Sequence, residues 1–199
     1  MKSAPESIDA KVLGRVRRMR PGLVFTVRSF VGMDAGPSLS RMVRAGHVRR
    51  LAPGIWHKPT NHPLLGEVPP SSPAIAAAVA ELDRTLVQPS GASAANVLGF
   101  SDQVPVRAVF LTGGPSRVIR LGKRSVVFKH AAPKYMVGAG NVAGLIITAL
   151  RYIGPAYVDD VMLEAVRRAV PASERRKVVR VLQAGPAWIA KKVIPVLTR

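Results

Sequence analysis

The chain of 199 residues has no cysteine, 11 acidic residues against 30 lysines and arginines, and few aromatics: two tryptophans, three tyrosines and five phenylalanines. The missing thiols exclude a disulfide scaffold and a thiolate zinc site. The shortage of aromatics, most of them at core-like spacing, disfavours the base-stacking platforms of RRM or OB-type RNA binders. Long apolar runs are also lacking. The uncharged stretch between Lys134 and Arg151 holds 16 residues, with three glycines and Asn141 among them, short of the ~20 apolar residues of a bilayer span. No membrane helix is expected. The N-terminal MKSAPESIDAK lacks the apolar core of a secretory signal, so the expected location is cytoplasmic.

Carboxylates are also few. A metal-dependent nuclease needs them clustered on strands, and the strand-like segments VRAVFLT and RSVVFKH contain none. His47, His57, His62 and His130 show neither i, i+4 pairing nor HExxH spacing, and each reads as a surface or wing residue. No metal is expected. There is no GxSxG elbow. Gly122-Lys123 lacks the earlier glycine and the following Ser or Thr of a P-loop, and VGAGNVAG has its third glycine one place late for a dinucleotide fold. A glycine-rich helix entry is the better reading of the latter. Neither a catalytic constellation nor a cofactor is expected.

What the chain does have is 48% apolar content, enough for a core, and a formal charge of +19 with a pI near 11.6. Self-repulsion of that size implies a polyanionic partner, nucleic acid before an anionic membrane surface. Residues 1–62 carry net +9, 63–150 +4 and 151–199 +6. The proline-rich NHPLLGEVPPSSP is the strongest boundary signal, which divides the chain into a domain over 1–60, a linker over 61–72 and a second domain over 73–199.

The first domain reads as a winged helix-turn-helix. Ser7 is placed to cap a helix through Ile8, Val12, Val16 and Met19, which Pro21-Gly22 stops. Its other side carries Lys11, Arg15 and Arg18 as one basic stripe, either a phosphate track or a solvated face. Thr26 can cap a brief second helix through Phe30. Gly36-Pro37 then starts a third that runs to about Ala45, with Gly46 behind it. At helical spacing Leu39, Met42 and Val43 share one side, while Arg41 and Arg44 point nearly opposite, beside Ser38 and Ser40. Arginine can bond guanine bidentately and serine can serve bases or phosphates, so this side is the expected groove face; the bland alternative is a surface helix. In GHVRRLAPGIWHKP a strand from Val48, a Pro53-Gly54 turn and a strand from Ile55 predict a basic hairpin. Arg49 and Arg50 straddle its pleat, so one should reach solvent and phosphate, and Lys58 follows the second strand.

SIDAKVLGRVRRMRPGLVFT, SLSRMVRAGHVRRLAPGIWHKP, HPLLGE and QPSGASAANVLGFSDQVP resemble the AbiEi-like antitoxin and transcriptional-regulator family of abortive-infection systems, over about residues 7–190. The resemblance implies a winged helix that binds double-stranded DNA at repeats in its own promoter. It also implies a C-terminal antitoxin domain that counteracts a co-encoded nucleotidyltransferase-type toxin without necessarily touching it, and it leaves the oligomeric state open, with a dimer on DNA one outcome. The alternatives are a stand-alone winged-helix regulator and an RNA- or ribosome-associated basic protein.

The second domain predicts a mixed α+β fold with a helical C-terminal end. Ser72-Pro73 begins a helix, Leu86-Val87 is a short strand, Gly91 to Leu98 a small-residue helix and Val106 to Thr112 a buried strand. Val118 to Leu121 and Val126 to His130 form a hairpin. Helices over Asn141–Ile153, Asp159–Val170, Ser173–Leu182 and Trp188–Leu197 follow, with Asp159-Asp160 in a capping role rather than as acid and base. Arg175, Arg176, Lys177 and Arg180, with Lys191 and Lys192, make a second basic concentration. It is either a solvated face or a contact for flanking DNA, RNA or an acidic partner.

Overall fold

The computed structural model describes residues 7–64, 66–101 and 107–199. Among them eight α-helices accompany three sheets in a mixed α+β structure. There are two compact units. The first runs through Arg84 and includes Ile119–Lys123; the second holds Thr85–Val118 and Arg124–Arg199.

Local signals place the early elements. Helix α1 (Ile8–Arg18) starts because Ser7 is extended and its hydroxyl accepts the Ala10 amide at 3.2 Å, which satisfies one orphan donor. Strand β1 (Val24–Thr26) leads into a 3-10 turn over Val27–Phe30, capped by Thr26 Oγ1 on the Arg28 amide at 3.2 Å. Helix α2 (Gly36–Arg44) has a proline in its first turn. It ends at Gly46, whose φ of 77° lets the His47 amide return to the Met42 carbonyl at 2.9 Å. Strands β2 (Arg49–Ala52) and β3 (Ile55–His57) complete an antiparallel sheet in the order β1-β3-β2. Phe25 stacks on Trp56 at 6.2 Å and meets Phe30 edge-on at 5.9 Å. These rings, with Val12, Val16, Leu39, Met42 and Val48, close one core.

The segment expected as a linker is folded. Strand β4 (Asn61–His62) pairs with β5 (Gly66–Glu67), and helix α3 (Ser72–Asp83) packs on β1, β3 and the 3-10 turn. Thr26 Oγ1 donates to Glu81 Oε1 at 2.9 Å, and the Arg28 guanidinium donates to the Leu82 carbonyl at 2.9 and 3.2 Å. The border expected at 61–72 therefore moves to Arg84. The reason is that α3 buries Ile75 and Val79 and satisfies its C-terminal carbonyl within the first unit.

Four later strands, β6 (Val87–Pro89), β7 (Ala108–Thr112), β8 (Arg117–Leu121) and β9 (Arg124–His130), form a sheet in the order β6-β7-β9-β8. Strands β7 and β9 are parallel and β6 is antiparallel to β7. The start expected for β7, Val106, lies outside the described residues. Helix α4 (Gly91–Val97) lays Ala94 and Ala95 against α5 (Val142–Ile153), and α6 (Asp160–Ala169), α7 (Arg175–Gln183) and α8 (Ala187–Thr198) finish the helical end. Asn141 and Asp159 cap α5 and α6 through their side chains. The glycine-rich approach to α5 has a packing cause: a Cβ on Gly144 would fall 2.2 Å from the Gly138 carbonyl oxygen.

Candidate nucleic-acid interface

The third-helix arginines diverge. Arg44 and Ser40 are exposed on α2, and they line a concavity of about 490 Å³ with Gly36, Val43, Arg50 and Trp56. Arg50 lies opposite Trp56 in the β2-β3 pair and shares the concavity with side chains of α2. A bulge follows between Arg50 and Ala52, and Arg49 and Arg50 are both exposed, where one of the two was expected to reach solvent. Ser40 Oγ donates to the Gly36 carbonyl at 3.0 Å and keeps acceptor capacity.

Arg41 is half exposed and its Nη2 donates to Asp9 Oδ1, the oxygen that also accepts from Ser38 Oγ. The Ser38 hydrogen bond, together with the hydrogen bond and positive charge of Arg41, holds the Asp9 carboxyl below its ordinary range. Ser38 is corrected as a site residue. It is 3% exposed because it faces α1, and its hydroxyl is committed to Asp9.

Arg49 meets Glu67 through Nε at 3.3 Å from both carboxylate oxygens and through Nη2 at 3.0 Å from Oε2. This fork lowers the Glu67 pKa and raises that of Arg49. Lys58 is also corrected. Its ammonium donates to the carbonyls of Arg17 and Met19, so it closes the C-terminal end of α1 instead of standing free for phosphate.

The α1 stripe stays together. Lys11, Arg15 and Arg18 line a notch of about 240 Å³ with Gly14 and Met33, and the Arg15 guanidinium sits 5.9 Å from the centre of the Phe30 ring. On α7, Arg176, Lys177 and Arg180 are exposed, Lys177 meets Glu174 at 3.1 Å, and Arg175 has a buried Nε with no partner. Lys192 is tied to the carbonyls of Pro155 and Val158 at 3.0 and 3.1 Å.

His57, expected near the surface, is buried in β3 and its Nε2 has no partner. Burial lowers its pKa, opposed by the nearby Glu67 charge. Sequence reasoning did not pick out Asp9 and Glu67, because their arginines lie 32 and 18 residues away. The tyrosines depart from the core-like spacing expected of most aromatics. Tyr135, Tyr152 and Tyr157 are exposed, and Tyr135 lies about 5 Å from both Lys134 and Arg151. Among the described residues no three histidine or carboxylate side chains gather as a metal-ligand group, and no helix is long and apolar enough to cross a membrane.

A family profile described as a family of unknown function, DUF6088, matches residues 11–178. No curated protein matches the chain. Among solved structures, the crystal structure of the RV2827C protein from Mycobacterium tuberculosis is similar at 16% identity and a TM-score of 0.41. The likeness covers 95% of this chain and 82% of that one.

Proposed function

We propose that this chain, which belongs to the DUF6088 family, binds duplex DNA through its first unit. The observation that carries the reading is the convergence of Ser40, Arg44 and Arg50 on one concavity beside Trp56. Supporting it is the element order: helix, strand, 3-10 turn, helix, then a two-stranded hairpin, with the first strand added to the hairpin as β1-β3-β2. That is the order of a winged helix, whose last helix enters a major groove while the hairpin meets backbone. In this reading Arg44 reads base edges, and Arg50 with the α1 cations Lys11, Arg15 and Arg18 neutralises phosphate. The hairpin is short. Its Gly54 turn lies under the Leu82 side chain, so phosphate contact comes from Arg50 in β2 and not from the hairpin tip.

The resemblance to AbiEi-like regulators extends the proposal to an antitoxin that represses its own promoter and counteracts a co-encoded nucleotidyltransferase-type toxin. That extension rests on the resemblance alone. The test of the core reading is titration of the full chain with the duplex upstream of its own reading frame, a scrambled duplex and a structured RNA. Arg44→Ala should cost about 1–3 kcal/mol on the preferred duplex and narrow its lead over the scrambled one. Arg50→Ala should weaken both duplexes alike and lower the salt slope by about one. Tighter binding of RNA than of either duplex would replace this reading with the RNA-associated one.

A further inference from the structure

Two of the arginines expected at the DNA face are already occupied. Arg41 meets Asp9, and Arg49 presents Nε and Nη2 to both oxygens of Glu67. These pairs are open to solvent, with side-chain exposures of 52% and 54% for Arg41 and Asp9 and 53% and 39% for Arg49 and Glu67. A DNA strand can reach them. Arg44 and Arg50, in contrast, have no carboxylate partner among the described residues.

A phosphate offers an arginine fork what a carboxylate offers, two anionic oxygens in one plane with the guanidinium. Exchange of Glu67 for a backbone phosphate on Arg49 therefore swaps like for like and leaves a bare carboxylate facing a polyanion. The exchange gains little, and the uncovered charge repels the strand. A contact that positions the guanidinium against a base edge supplies hydrogen bonds that phosphate cannot, so it can repay the exchange. Selectivity built this way raises the cost of wrong partners instead of tightening the right one. The Asp9 pair has the further support of Ser38, whose buried hydroxyl anchors the carboxylate that holds Arg41.

We propose that Asp9 and Glu67 are positioning residues that set the discrimination of the DNA face, by withholding Arg41 and Arg49 from phosphate that carries no sequence information. The inference rests on the duplex-binding reading above and adds to it a role for two carboxylates. It leaves Arg44 at base edges and Arg50 with the α1 cations in general attraction, and it assigns Arg41 and Arg49 to contacts made only where they outweigh the pair.

The test uses the full chain and a duplex of random sequence across a salt series. Glu67→Gln frees Arg49 and should tighten random-duplex binding by about threefold or more, with a salt slope steeper by about one as one more phosphate is neutralised. Asp9→Asn should act in the same direction through Arg41. In an Arg49→Gln background, Glu67→Gln should leave the salt slope unchanged and give a clearly smaller gain, only that of removing a carboxylate that repels the strand, since the rest of its effect acts through the arginine. Thermal midpoints of all variants establish that the fold is kept. A gain as large without Arg49 as with it is a general charge effect and overturns the proposal, as does a variant that binds no tighter than the parent. If parent and variants alike bind no duplex at the lowest salt, the duplex-binding reading fails and takes this one with it. Binding by the parent with unchanged variants sinks only the present inference.

Discussion

His57 stands at the centre of the β1-β3-β2 sheet with 1% exposure, opposite Val24 on one side and Arg49 on the other, and its Nε2 has no hydrogen-bond partner. Burial disfavours the charged ring, so the folded pKa lies below the ordinary value of 6.5. The unfolded chain then takes up a proton near 6.5 that the folded chain refuses until lower pH. Stability is fully present above 6.5 and falls as pH drops from there toward the folded pKa, with a limiting slope of about 1.4 kcal/mol per pH unit. Glu67 and Asp9 belong to a separate window. Their folded pKa values are depressed below about 4.5 and 3.8, so their contribution is lost only as pH falls under those values. Urea midpoints measured between pH 8 and pH 5 should decline in the parent and flatten in His57→Leu; an equal decline in both would assign the slope elsewhere. At this scale residue type alone was a poor guide. Ser38 and Lys58 carry the polar groups a DNA contact needs, but one faces α1 and the other caps it. Both facts depend on how helices cross, which no local spacing records.

Elements were legible where their cause is local. Ser7, Thr26, Asn141 and Asp159 each cap the element that follows, and the Gly46 stop behind α2 is set by its own positive φ. The allegiance of α3 was not legible, because it is decided across the chain. Arg28 donates to Leu82 54 positions away, and Thr26 donates to Glu81 at a separation of 55. Prolines between β4 and α3 mark a change of direction and not a border between units. The parallel β7-β9 pairing was hidden for the same reason: a hairpin over Gly122-Lys123 says nothing about which strand flanks β9. If α3 is an integral part of the first unit, Arg28→Ala should lower that unit's stability by about 1–2 kcal/mol, since it removes a charged donor from a helix-terminal carbonyl. Hydrogen exchange is the measurement. Amides of β1 and α3 should speed up together, while those of α5 keep the parent rates; acceleration of α3 alone would show it to be a separate flap.

The whole molecule carries 30 cations against 11 carboxylates. The ion pairs described on its surface, Arg41 with Asp9, Arg49 with Glu67, Arg167 with Glu164 and Lys177 with Glu174, are all substantially exposed. Pairs of that kind contribute about 0–1 kcal/mol each and are weakened by salt. The repulsion among the remaining cations acts over many more partners, and it too is screened once the Debye length falls to about 10 Å near 0.1 M salt. The two effects oppose each other in a salt titration. With a net charge of +19, repulsion should win, and the thermal midpoint should rise with sodium chloride by a few degrees, at roughly 2–4 °C per kcal/mol for a chain of this size. A falling midpoint would mean that the pairs outweigh the excess charge. The same balance separates screening from binding. At low salt, a random duplex should raise the midpoint further by mass action on the folded chain, and that increment should vanish at high salt while the chloride effect remains. An increment that survives high salt would require contacts other than phosphate neutralisation. On the reading above those contacts come from Arg44 at base edges, so the surviving part should be lost in Arg44→Ala and kept in Arg50→Ala.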